Sequence, residues 1–183
     1  MHNKVIRFWF VETSFDKWFQ KDDNFDQLIR IKFWNLYNDC VNNQLNDWQK
    51  SAMPCLSLII ILDQFSRNLF RNSAKAYDQD FKALKICYAA IENNYIEQYD
   101  LNQTLFSLLP LVHSENLESH LLAEKMCKEF LINHPNYDFI SKSWHDHKLA
   151  IEKFGRYPHR CGVFGLKNTK EEKLYLSGPN SSW

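Results

Sequence analysis

Pro54-Cys55-Leu56-Ser57-Leu58-Ile59-Ile60-Ile61-Leu62-Asp63-Gln64-Phe65-Ser66-Arg67-Asn68 is the stretch whose reading decides the fold. Its first half is apolar without alternation, and the run of isoleucines would suit a buried strand. A strand needs a partner, and no second strand-like run occurs in the chain. Pro54 suits the first turn of a helix, where its missing N–H would have no acceptor in any case. We therefore expect a central helix, apolar all round and enclosed by other helices.

The flanking sequence agrees. Sheets and hairpins use glycine at their turns, and this chain of 183 residues has only 4. Phe25, Leu28, Ile29, Phe33, Leu36, Tyr37 and Cys40 recur at helical spacing and predict a helix over 23–42. Phe81, Leu84, Tyr88 and Ile91 predict another over 74–94. Leu117, Leu121, Leu122, Met126 and Phe130 predict a third over 115–133, with Glu118, Glu124 and Lys125 off the stripe. A further helix over 138–154 is closed by Gly155 as its C-terminal cap. Asn42-Asn43-Gln44 and Asn133-His134-Pro135-Asn136 read as turns between antiparallel helices. The expected architecture is one all-α domain over 1–176, of about seven or eight antiparallel helices, with 177–183 a frayed tail.

Composition narrows the function classes. With 45% hydrophobic and 15% aromatic residues, the chain can fill a single core and is not disordered. A formal net charge of zero argues against nucleic acid as a partner. Cys40, Cys55, Cys87, Cys127 and Cys161 are far apart and form no CxxC pair, which suits reduced thiols in the cytoplasm. The N-terminus does not read as a signal peptide, and Leu56–Leu62 is far too short to span a membrane. Nothing in the sequence specifies an oligomeric state.

Three polar knots interrupt this apolar background. Asp63 and Arg67 are four apart, share a helical face and extend the apolar run, so the carboxylate needs its arginine. Gln64, Asn68 and Arg71 add donors on an adjacent face. His113-Ser114-Glu115 follows a second apolar run, with Ser114 placed as an N-cap and Glu115 in a first turn. In Phe154-Gly155-Arg156-Tyr157-Pro158-His159-Arg160, Pro158 stiffens a loop that presents Arg156, His159 and Arg160. His147, two turns before Phe154, faces the same way. Guanidinium groups grip carboxylates and phosphates bidentately.

Arg67, Arg71, Arg156 and Arg160 outnumber Asp63 and Glu115, and surplus buried cation is expensive unless an anion visits. This points to a binding site for a small carboxylate or phosphate, or for an acidic peptide. The bland alternative is an ion network that clamps helices. His113, His147 and His159 with Glu115 could also supply acid–base groups for a hydrolase, although no Gly-x-Ser-x-Gly elbow or Walker loop is present. Their spacing matches no metal signature and the arginines repel a cation, so no metal or other cofactor is expected. Cys161, beside Arg160, reads either as an activated thiol or as a plain small residue.

Taken in order, Phe8-Trp9-Phe10, Leu62-Asp63-Gln64-Phe65-Ser66-Arg67-Asn68-Leu69-Phe70-Arg71, Leu109-Pro110-Leu111-Val112-His113-Ser114-Glu115, His147, Phe154 to Arg160, and Thr169-Lys170-Glu171-Glu172 before Tyr175-Leu176 form one pattern. Through them the chain resembles, over nearly its whole length, the bacterial domain of unknown function 924 family. The resemblance implies an all-helical fold similar to tetratricopeptide-repeat proteins and no established activity; such folds bind proteins on a concave face, which adds a scaffold reading. Ser66 stands where the family usually has Pro, Cys161 where it has Asn, and Leu166 where it has Arg. The candidate binding set is Asp63, Arg67, Asn68, Arg71, His113, Glu115, His147, Arg156, His159 and Arg160.

Overall fold

The structure, a computed structural model, describes residues 1–179 and 181. The decisive stretch is helical throughout. α4 (Ala52–Ile59) runs into a widened π-type turn, Ile60–Phe65, and on into α5 (Ser66–Leu69) as one continuous rod. Leu56, Ile59, Ile60, Ile61, Leu62 and Phe65 are fully buried. A rod that is apolar on every side must be surrounded, and α1 (His2–Arg7), α6 (Asp80–Glu92) and α7 (Leu101–His113) pack on α4 while α3 (Asp23–Val41) packs on α5. Ser66 donates its hydroxyl to the Leu62 carbonyl at 2.6 Å, a bond within the rod that proline could not make.

The remaining helices are short-linked neighbours. α2 (Phe15–Phe19) sets Trp18 against Trp9, whose carbonyl accepts the Trp18 indole N–H at 2.9 Å. α8 (Leu117–Phe130) packs on α7, and α9 (Tyr137–Phe154) packs on α8. α10 (Lys170–Leu176) follows the loop that leaves α9. Counting the continuous rods, nine helices and no strand occur among the described residues, an all-α single domain as expected. No helix among them is long and apolar enough to cross a membrane.

The local signals explain the boundaries. The Asp22 carboxylate accepts the Asn24 and Phe25 N–H groups and starts α3. Asp100 and Gln103 form a reciprocal capping box at the start of α7. Gly155 closes α9 at φ +66°, a conformation that costs other residues a steric penalty, and its N–H reaches the Ile151 carbonyl at 2.8 Å. At α8 the cap is Asn116, which accepts from Glu118 and Ser119; the expected cap, Ser114, instead lies in the bend between α7 and α8.

Two helical stripes face differently from the sequence reading. On α6 the buried face is Ala83, Ile86, Cys87 and Ala90, while Phe81 is 69% exposed. Small residues let α6 approach α4 and α7 closely; Leu84, Tyr88 and Ile91 pack part-buried against the core beside them, and Phe81 falls on the rim. On α8 the inward residues are Ser119, His120, Ala123, Met126 and Cys127, with Leu117 and Leu121 outside. The expected frayed end falls partly on Asn180, Ser182 and Trp183, which lie outside the described residues. Ser181 is buried, and its hydroxyl lies 2.9 Å from the Gly178 carbonyl.

This difference of face is measurable. Ile86→Ala should lower stability by about 2–5 kcal/mol, as a cavity-forming core truncation does, whereas Phe81→Ala should cost under about 1 kcal/mol. Urea midpoints of the two variants check the order.

Candidate functional site

Asp63 sits in the widened turn of the central rod and is fully buried. Its Oδ1 lies 2.7 Å from His113 Nδ1, at the C-terminal end of α7, and 3.2 Å from Arg67 Nη1. Its Oδ2 accepts from the Gln64 amide at 2.6 Å. Burial alone would push this carboxyl up, but Arg67 and then His113 outweigh burial and hold it well below the usual carboxylate range. Facing a carboxylate, His113 donates its Nδ1–H and directs Nε2 away from Asp63. Burial and then the charge of Arg67 push His113 below its ordinary value, so it is uncharged near neutral pH.

Asp80 begins α6, where the helix dipole favours a carboxylate. It grips Arg67 bidentately, at 2.9 and 3.0 Å. Arg67 also donates to the Asp63 carbonyl at 2.8 Å. From the loop after α9 comes Arg160, only 8% exposed. Its guanidinium lies between the rings of Tyr77 and Tyr157, 4.6 and 4.5 Å from their centroids. Arg160 Nη2 donates to the His113 carbonyl at 3.0 Å. Nη1 reaches Asp80 and Glu115 only at 3.5 and 3.9 Å, and Nε has no acceptor among the described residues. Glu115 turns to the loop backbone instead, accepting the Tyr157 N–H at 2.9 Å.

Tyr157 joins this cluster to a group of histidines. Its hydroxyl donates to the Val112 carbonyl and lies 3.2 Å from His120 Nε2. The same His120 nitrogen must carry a proton, because it also reaches the Ser114 carbonyl at 2.8 Å. His147 donates through Nδ1 to the Ser143 carbonyl at 2.7 Å, and its ring meets Tyr157 edge-on. The His159 ring lies 5.5 Å from that of Tyr157.

The ten residues singled out from sequence therefore divide. Asp63, Arg67, His113, Glu115 and Arg160 form the centre, and His147 and His159 flank it through Tyr157. Asn68 and Arg71 point to the other side of the rod. There Asp26 of α3 accepts from the Asn68 amide at 2.8 Å and from Arg71 at 2.6 and 2.7 Å. Arg156 is held bidentately by Glu172 of α10, at 2.8 and 3.0 Å. With Asp26, Asp80 and Glu172 included, four arginines face five carboxylates, and the expected cation surplus is not found. Cys161 is buried, and burial first of all pushes its thiol up, so it is a packing residue and not an activated nucleophile. No group of three or more His, Cys, Asp or Glu side chains could hold a metal ion among the described residues.

Sequence reasoning missed Asp26, Asp80 and Glu172. A signal existed only for Glu172: Thr169 and Glu172 stand at capping-box spacing, and both reciprocal bonds form. Asp26 and Asp80 look like ordinary acids in the first turns of helices. A groove of about 400 Å³ lies apart from the cluster, between α8 and α9, over Cys127, Trp144 and His145.

The histidines give the fold a pH dependence of defined sign. Burial pushes His147 down to about 3, and burial followed by Arg160 pushes His159 down to about 4, from an ordinary 6.5. The unfolded chain thus takes up protons near 6.5 that the folded protein refuses. Their contribution is complete above 6.5 and is lost as pH falls toward 4 and below, at up to about 1.4 kcal/mol per pH unit for each. The urea midpoint should fall steadily below pH 6.5, and His147→Gln should flatten that slope.

Comparison with known proteins places this arrangement. The family model described as a bacterial protein of unknown function (DUF924) matches residues 5–180. A solved protein of unknown function from Agrobacterium tumefaciens, ATU0120, is 30% identical, with a TM-score of 0.88 over 97% of each chain. No functionally curated protein matches. The matched span carries the central rod, the polar cluster and the Arg156–Glu172 pair alike, and the chain belongs to the DUF924 family.

Proposed function

We propose that the protein binds a small molecule bearing a carboxylate or phosphate at the Arg160 edge of the polar cluster. The observation that carries this reading is the state of Arg160. Charge around it is balanced, but hydrogen bonding is not. One of its N–H groups makes a bond of ordinary length, to the His113 carbonyl, while Nη1 sits 3.5 and 3.9 Å from its carboxylates. Nε has no acceptor among the described residues. A guanidinium buried with idle donors is costly unless an acceptor arrives, and a carboxylate or phosphate is the acceptor its planar fork fits. Partly open Arg67 and Asp80 form the rim. Zero net charge supports a small ligand over nucleic acid, and five buried free thiols support a reducing, cytoplasmic setting.

A second reading, an acid–base enzyme such as a hydrolase, is favoured by one distance. The 2.7 Å bond between buried Asp63 and His113 fixes the imidazole tautomer and leaves Nε2 as a base. In this reading Asp63 orients the base, whereas Glu115, the partner expected from sequence, holds the Tyr157 backbone.

A panel of carboxylates and phosphates tests the first reading by thermal shift. A ligand at a hundred times its dissociation constant should add about 2.7 kcal/mol, a rise of several degrees. Arg160→Gln should abolish the shift and Arg156→Gln should retain it, since Arg156 belongs to a separate pair. No shift in the parent would overturn the binding reading. For the enzyme reading, His113→Gln should fold normally and lose turnover of any ester or phosphoester the parent hydrolyses.

A further inference from the structure

Phe164 stands one turn beyond Arg160, and its N–H reaches the Arg160 carbonyl at 3.3 Å. The chain then leaves through Gly165 at φ +68°, which ends the turn. Phe164 is 47% exposed, although it packs against Tyr77, with ring centroids 5.6 Å apart. Tyr77 in turn covers both Arg160 and Arg67, at 4.6 and 5.6 Å. A half-open phenyl ring is thus joined by one tyrosine to the two central guanidinium groups. We infer that the ligand is an anion carrying a ring-sized apolar body, with its charged head toward Arg160 and Arg67 and its body stacked on Phe164. This inference rests on the anion-binding reading and adds the class of molecule. Phe164 is then the residue that discriminates, since the arginines answer to charge alone. An aromatic contact of this kind contributes roughly a factor of 10 in affinity.

Titration calorimetry with inorganic phosphate and phenyl phosphate tests it. The parent should bind phenyl phosphate about 10-fold more tightly than phosphate. Phe164→Ala, a surface change, should bring the two affinities together by weakening phenyl phosphate while leaving phosphate unchanged. Equal affinities in the parent, or a ratio that survives in Phe164→Ala, would overturn the inference while leaving the anion reading standing. If neither compound binds the parent, both fall together.

Discussion

A carboxylate with no access to water is the constraint around which this protein is arranged. Asp63 lies inside an apolar rod, and an ion there is tolerated only when opposite charge and hydrogen bonds surround it. Gln64 and Arg67 come from the same rod, but His113 must be delivered by α7. Arg67 then needs Asp80 from α6, and Arg160 crosses from the loop after α9 to the His113 carbonyl. Each partner brings the helix that carries it into register, so one buried charge fixes how four segments meet. The desolvation of such charges offsets much of their attraction, so removing one partner costs far more than the intact network adds.

The widened turn at Ile60–Phe65 falls on this residue. Such turns break the regular helical register and recur at functional sites. Here the break coincides with the passage from a purely apolar rod to its polar end. The same segment therefore serves as the centre of the core and as the floor of the candidate site, and the two roles cannot be altered independently.

Much of this was legible in the chain. The uniform apolarity of Leu56 to Leu62 marked a helix enclosed by others, and the scarcity of glycine favoured helices over a sheet-rich alternative. Asp63 and Arg67 were readable as a pair because helical spacing fixes which residues share a face. What could not be read was the far partner. Asp80 and Asp26 resemble any acid in a first turn, and only the packing of α6 and α3 turns them inward. Counting charge by sequence segment therefore overstated the cations. The stripe on α6 misled for a related reason: periodicity marks a face but not how closely a neighbour approaches, and Ala83 and Ala90 admit that neighbour while Phe81 cannot.

The pairing of Arg156 with Glu172 has a consequence for how the C-terminal segment behaves. Glu172 caps its own helix by accepting the Thr169 N–H with Oε2 and holds Arg156 with both carboxylate oxygens. The capping of α10 and one of its attachments to the rest of the molecule therefore share a single carboxylate, beside the Phe154–Tyr175 ring contact and the Lys153–Glu171 pair. A helix of seven residues is too short to persist alone, and once detached it has lost the partner of its capping residue. Because Tyr157 and Arg160 follow directly on Arg156, the Arg156–Glu172 pair anchors the start of the loop that closes the polar cluster.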